Sequence, residues 1–481
     1  MSTHTSEEGH IPFHTPTISV IIPVYDGLEE TKACFESLLA AENDIPCKII
    51  AIYDDGPNSQ VEAYLDELAH QGNIYLYKNE TNLGFVQTVN RGFDIAQPDD
   101  VVILNSDTRV PPRWLRRLVA PAMRDKKIAT ITPFTSNGEI CSFPNFTTMC
   151  DLPSDLSVDQ LDDLFARHAP YCTFDLPTGV GFCMFVSRQS LDQVGPFNET
   201  LFGRGYGEEN DFCQRAKKSG FRNVLVGNLY VYHEGGVSFG KEKEALVLNA
   251  IEQVERQHPG YNKSVQQHIQ ENPARALRYQ LVLHYLAESK LTTTLLVSNE
   301  LADEGRSEIL SAIEQYSEQT NFLWLDIQSP DRGTLRFPPW ASSCTLSFDL
   351  TSDSSLLFSI LQSTNVDYIA ILNEGQPHLF VDQCKQGLGA KFVCTPLDCQ
   401  ENTPSYQDAI EQIRREIPAE RRRRRANTVS TTVPLAKLEY HFTRPDVPAQ
   451  ERRAFSDRLR QAIRHPHKAA QYALKKLFRR V

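Results

Sequence analysis

The stretch VVILNSDTRVPPRWL, residues 101–115, runs as an unbroken apolar segment to Leu104 and then breaks into Asn105, Ser106 and Asp107, followed by two prolines. Val and Ile in such a run suit a buried strand. Its polar end has two readings. One is a plain turn, where Asp is common; the other is a carboxylate held at the edge of a sheet to grip a metal ion. Runs of the same kind occur at ISVIIPVY (18–25), CKIIAIYDD (47–55), IYLYKN (74–79) and KIATITPF (127–134). Between them, LEETKACFESLLAAEN (28–43) and SQVEAYLDELAHQG (59–72) space apolar residues three and four apart, as surface helices do. Strand, helix, strand in this order predicts an α/β fold with a mostly parallel, Rossmann-like sheet and right-handed crossovers. Ligands of such sheets bind beyond the carboxyl ends of the strands. Tyr25, Asp54, Asp55 and Asp107 then share one edge.

The remaining chain narrows the class. At 481 residues it has room for two or three domains. The polar start MSTHTSEEGHIPFHTP has no signal-peptide pattern, and no window approaches 18 uninterrupted apolar residues, so a cytoplasmic location is expected. Eleven scattered cysteines without a Cys-x-x-Cys pair argue for reduced thiols rather than a disulfide framework. The net charge of −12 hides an asymmetry: residues 414–481 carry 19 Lys and Arg against 6 Asp and Glu, a net +13, leaving −25 on the rest. A basic tail on an acidic body points to an anionic partner for the tail alone.

Five segments are expected: a flexible start over 1–16, a first α/β domain over 17–262, a second, smaller one over 272–399, a linker with the basic run Arg421–Arg425 over 400–450, and a helical tail over 451–481. In the second domain TTTLLVSN, NFLWLDI, CTLSFDL, DYIAILNE and AKFVCTP read as strands, with SEILSAIEQYSE helical between them. On a helical wheel the tail sets Ala470, Ala473, Leu474, Leu477, Phe478 and Val481 on one face, and Lys468, Lys475, Lys476, Arg479 and Arg480 on the other. A basic amphipathic helix of this make-up lies on an anionic membrane, where each basic residue contributes about 1 kcal/mol. Docking of the tail on the protein's own acidic body is the alternative. Nucleic acid is not expected as a partner, because no aromatic residue interleaves with the arginines.

ISVIIPVYDG, YDDGPNS, NETNLGFVQTVNRGF, LNSDTRV, GEENDFCQR and YVYHEGG follow one another in the order and spacing of family-2 glycosyltransferases. Over its first half the chain resembles that family, and within it the rhamnosyltransferase-like bacterial branch that builds surface polysaccharides such as O-antigen. The resemblance implies a GT-A catalytic domain and inverting transfer from a UDP- or dTDP-sugar donor to a saccharide acceptor, lipid-linked at the membrane face. It assigns Mg²⁺ or Mn²⁺ to Asp107 and His233. Asn105 stands where the family's Asp-x-Asp signature begins with an acid, which leaves one charged ligand beside Ser106. Pro23, Tyr25, Asp54 and Asp55 are implied around the nucleoside, Asp55 accepting from the base, and Asn82 and Gly84 beside the diphosphate. Glu209 falls at the general base, with Glu208 and Asp211 orienting it or raising its pKa by like-charge proximity. The alternative for those acids is a helix start, which favours carboxylates. LPTGVGFCMF (176–185) is expected to floor the sugar pocket. The second domain resembles half of a GT-B enzyme and reads as a non-catalytic module. Two rivals stand beside this reading: a non-catalytic sugar-binding scaffold, favoured by Asn105, and a sugar nucleotidyltransferase. The latter needs a Gly-rich phosphate loop with an Arg after the first strand, which PVYDGLEE does not supply.

Overall fold

The structure, a computed structural model, describes residues 18–417 except 42–44, 151, 154, 204, 236–241, 373–378 and 394–404. The expected flexible start, the arginine run and the amphipathic tail lie outside the described residues.

The first domain is built on ten strands: β1 (Ile18–Val24), β2 (Cys47–Tyr53), β3 (Tyr75–Lys78), β4 (Asp100–Leu104), β5 (Thr108–Arg109), β6 (Ile128–Phe134), β7 (Thr173–Asp175), β8 (Cys183–Val186), β9 (Arg222–Tyr230) and β10 (Tyr232–His233). Eight of them form one sheet in the order β3-β2-β1-β4-β8-β6-β9-β7, and β5 pairs with β10 apart from it. β3, β2, β1 and β4 are mutually parallel, so their carboxyl ends line up on one edge. β8 runs antiparallel to both β4 and β6, and β7 antiparallel to β9, which makes the other half mixed. Val101 to Leu104 are fully buried, as expected for a central strand of a sheet covered on both faces. The helix Ser59–His70 starts where Asn58 accepts a hydrogen bond from the Gln60 amide at 3.0 Å, a side-chain N-cap.

β8 overlaps the end of the stretch expected to floor a pocket. Its four residues, CMFV, are all buried and therefore show no alternation. A run this short gives no periodicity to read.

The second sheet has the order β14-β13-β12-β11-β15-β16, from β11 (Thr293–Asn299), β12 (Asn321–Ser329), β13 (Arg332–Arg336), β14 (Thr345–Asp349), β15 (Tyr368–Ile371) and β16 (Lys391–Val393). Its centre is parallel, whereas β13 and β14 add an antiparallel edge. Helix Tyr406–Glu416, inside the stretch expected to be linker, packs Ile410 and Ile413 with Ile309 and Ile313 of helix Asp303–Tyr316. The second module therefore reaches past 399. The polar sequence around that helix shows only a narrow apolar stripe, which explains its being read as linker.

Helix Arg275–Glu288 joins the two domains. Leu277, Leu281 and Tyr285 sit in an apolar core that continues from the first sheet into the second. The two sheets therefore share one apolar core, unlike the more polar interfaces of loosely tethered domains.

Candidate active site

Tyr25, Asp54, Asp55 and the segment Asn105–Asp107 all follow the carboxyl ends of parallel strands, at one edge of the sheet. Within it their environments differ sharply. Asp54 is buried and its carboxylate accepts from Asn79 Nδ2 at 2.6 Å and from the amides of Leu83 and Gly84, each at 2.8 Å. Asn82 Nδ2 donates to the Asp54 carbonyl at 3.1 Å. Asp54 and Asn82 thus form a latch that holds the loop of residues 79–84 onto β2. The Gly84 amide, expected beside a diphosphate, is taken by Asp54. Gly84 adopts φ 82°, where L-residues are strained, and caps helix Phe85–Ile95.

Asp55 faces solvent beside it, also at positive φ. Gly56 is fixed by close approach: a Cβ there would stand 1.6 Å from the Tyr25 carbonyl oxygen. Tyr25 is 40% exposed, so its ring and the Asp55 carboxylate are presented outward from adjacent strands. Pro23 is partly buried within β1, one residue before its end.

Asp107 and His233 meet. The antiparallel pairing of β5 with β10 sets His233 opposite Thr108, and its Nε2 lies 3.3 Å from Asp107 Oδ1. The Gly235 amide donates to Asp107 Oδ2 at 3.2 Å. Burial opposes ionisation of Asp107, but the hydrogen bond and charge of His233, with the Gly235 amide, hold its carboxyl below the usual range. His233 Nδ1 lies 2.9 Å from the Asn137 carbonyl, which can only accept. That contact makes Nδ1 a donor; Nε2 then donates to Asp107 when the ring is protonated and offers its lone pair beside the carboxylate when the ring is neutral. Phe182 stacks on the same ring at 5.1 Å. One imidazole nitrogen and one carboxylate oxygen, both lone-pair donors and side by side, fit a divalent cation that keeps its other positions for phosphate and water. The Asn105 backbone is engaged, its amide with Phe182 and its carbonyl with Thr108, and Ser106 is partly buried in the same turn.

Helix Glu208–Lys218 brings the acids. It starts after Gly207 at φ 92°, without a side-chain cap. Glu208 and Glu209 each have a buried Oε2 without a hydrogen-bond partner. Burial, then the Glu209 charge, pushes the Glu208 carboxyl well above its ordinary value; burial also raises Glu209. The Glu209 charge weighs on Glu208, so of the two Glu208 is the harder to ionise. Asp211 does not join them. Its oxygens are taken by Arg215 Nε of the same helix at 2.8 Å and by His258 Nε2, just past helix Glu242–Gln257, at 2.7 Å. Asp211 is two positions from Glu209, on the opposite side of the helix, so adjacency in sequence misplaced it.

Three residues of the edge were not singled out from the sequence. Asn79 supports Asp54 and also contacts Thr88 and Arg91. Asn137 orients His233, and Glu139, two residues on at φ 49°, lies close enough for its charge to raise Glu209. The segment 137–139 therefore runs between the Asp107–His233 pair and the Glu208–Glu209 pair. Asn79 opens NETNLGF and could have been found there; nothing in SNGEIC marks the other two. Elsewhere among the described residues, His168, His284 and Glu288 bring metal-ligating atoms within 4.8 Å. Arg167 already grips both oxygens of Glu288, at 3.0 and 2.7 Å, so this cluster reads as an ion-pair clasp.

A sheet whose parallel half presents acids at its carboxyl edge, and whose mixed half carries a histidine back to them, defines a domain of GT-A type. Residues 19–195 match the profile described as Glycosyl transferase family 2, and the chain carries a family-2 glycosyltransferase domain. The match ends before Glu208, Glu209 and His233. Dolichol-phosphate mannosyltransferase of Pyrococcus furiosus is 25% identical over 127 residues, which are 26% of this chain and 36% of that one. N-acetylglucosaminyl-diphospho-decaprenol L-rhamnosyltransferase of Mycobacterium tuberculosis is 26% identical over 211 residues, 39% of this chain and 66% of that one. The chain thus spans about a third to two thirds of the length of these curated relatives. A mannosyltransferase from Pyrobaculum calidifontis, solved with GDP-Man and Mn²⁺, aligns over 58% of this chain and 78% of its own at 13% identity and a TM-score of 0.39, too low to carry residues across.

Proposed function

We propose that the protein is a metal-dependent, inverting glycosyltransferase that moves a sugar from a nucleotide-sugar donor to a saccharide acceptor. Contact between Asp107 and His233, with imidazole Nδ1 held as a donor, carries this reading. Those two residues would hold Mg²⁺ or Mn²⁺, which when bound stabilises the charge that develops on a leaving diphosphate. Tyr25 and Asp55 face the nucleoside. Glu209 takes the proton of the acceptor hydroxyl, and Glu208 stays protonated and steadies it. A base with a raised pKa is matched to deprotonating a hydroxyl near neutral pH.

The names of the relatives that act on polyprenyl-linked substrates support a lipid-linked acceptor in bacterial surface polysaccharide synthesis, with the basic tail at an anionic membrane. No helix of the described residues is long and apolar enough to cross a membrane. The second module is proposed to be non-catalytic. A binding-only scaffold is the second reading, favoured by Asn105 in place of an acid. Hydrolysis and transfer assays over UDP-, dTDP- and GDP-sugars, with and without Mn²⁺, test both: metal-dependent consumption of one donor supports the enzyme, and none across the panel supports the scaffold.

A further inference from the structure

Helix Arg275–Glu288 lies outside the residues matched to the family, yet one of its side chains reaches the segment that orients His233. Arg278 is 2% exposed. Its Nε donates to the Ser142 carbonyl at 2.8 Å and its guanidinium also to the Ile140 carbonyl at 3.2 Å, while Asn272 Oδ1 accepts a third bond at 2.6 Å. The cation sits over the rings of Phe146 and Phe134, at 4.3 and 5.2 Å. A buried guanidinium satisfied by carbonyls is a rigid strut, because releasing any partner leaves a charge without solvent.

What it props leads directly to the site. Ser142 Oγ accepts from the Gly138 amide at 3.0 Å, and Gly138 follows Asn137, whose carbonyl receives His233 Nδ1–H. Asn137 Nδ2 donates to the Glu234 carbonyl at 3.3 Å, so the segment grips the histidine strand twice. The second module holds the far end of the same loop. Asn145 Nδ2 donates to the Trp340 carbonyl and its Oδ1 accepts from the Ser343 amide, both at 2.8 Å.

We infer that Arg278 and Asn145 are positioning residues for the metal pair: through residues 137–145 the joining helix and the second module set the orientation of His233. This rests on the metal reading given above, and supplies the second module with a task. Groups that fix a ligating histidine from behind are each worth about 10–100-fold in metal affinity.

The test is Mn²⁺ binding to the full chain, read from loss of the free-ion paramagnetic resonance signal, together with thermal melting. Asp107→Ala locates the ion. Arg278→Lys and Asn145→Ala should weaken Mn²⁺ binding about 10–100-fold while the folded fraction is unchanged. Tyr285→Phe removes a hydrogen bond to Asp155 from the same joining helix while keeping the ring that packs on Trp340, and should lower the melting temperature without moving Mn²⁺ affinity. Wild-type binding that Asp107→Ala does not abolish would refute the metal reading itself, and the inference with it. Wild-type binding at Asp107 with unchanged affinity in Asn145→Ala and in folded Arg278→Lys overturns the inference alone. Equal weakening in Tyr285→Phe does the same, since a general loss of stability would then suffice.

Discussion

Glu209→Gln separates chemistry from binding in this site. Gln has the shape of Glu, and Glu209 Oε2 has no hydrogen-bond partner to lose, so the substitution removes basicity and little else. Turnover should fall by about 10²–10⁴, which is about 2.7–5.4 kcal/mol of barrier, with donor affinity unchanged. Stability should move the other way. Between the ordinary carboxylate pKa and the raised folded one, the folded state keeps a proton that the unfolded chain has released, so stability falls as pH rises across that window. Replacing either carboxyl with an amide removes that penalty, and the variant should melt higher at neutral pH and depend less on pH. Activity has the opposite slope: the base must be ionised, so wild-type turnover should rise with pH through a limb lying above the ordinary carboxylate range. Glu208→Gln can still donate a hydrogen bond to Glu209 and should keep most of the turnover. Steady-state kinetics from acid to neutral pH and calorimetric melting of the three proteins measure all of this. An active Glu209→Gln beside an inactive Glu208→Gln would reverse the two roles, and two active variants would remove the base from this helix altogether.

Asp107→Ala should abolish transfer and metal-dependent nucleotide binding in a folded protein, seen by calorimetric titration of nucleotide with and without Mn²⁺. Asp54→Ala strands three amide donors and should cost about 3–6 kcal/mol in chemical denaturation, whereas Asp55→Ala should leave the denaturation midpoint unchanged and raise the donor KM. Asp211→Asn should lower the melting temperature through Arg215 and His258 yet keep turnover per folded molecule. Truncation before His467 should release the protein from anionic liposomes and lower activity on a lipid-linked acceptor only; unchanged liposome binding with reduced stability would instead favour a tail docked on the acidic body.

What could be read from the sequence follows from how local each feature is. β1, β2 and β4 are Val- and Ile-rich runs, and the polar residues that follow them mark the carboxyl edge of the sheet, because a parallel strand stops where its backbone meets solvent. Asp54 and Asp55 mark the limit of that logic. As neighbours they look equivalent, yet one points into the Asn79–Gly84 loop as a latch and the other out to solvent, and only partners 25 to 30 residues away distinguish them. Asp211 shows the same limit on a helix. Two positions beyond Glu209 it is claimed by His258, whose place in the turn after a later helix no local pattern fixes. His233 stands in a motif, but its ring is oriented by a main-chain carbonyl, and a carbonyl belongs to every residue type. Support of that kind leaves no trace in composition or spacing. The parts of this site that depend on side-chain identity were therefore readable, while those that depend on backbone position, in the loop between β6 and β7 and on the helix beneath it, required the fold.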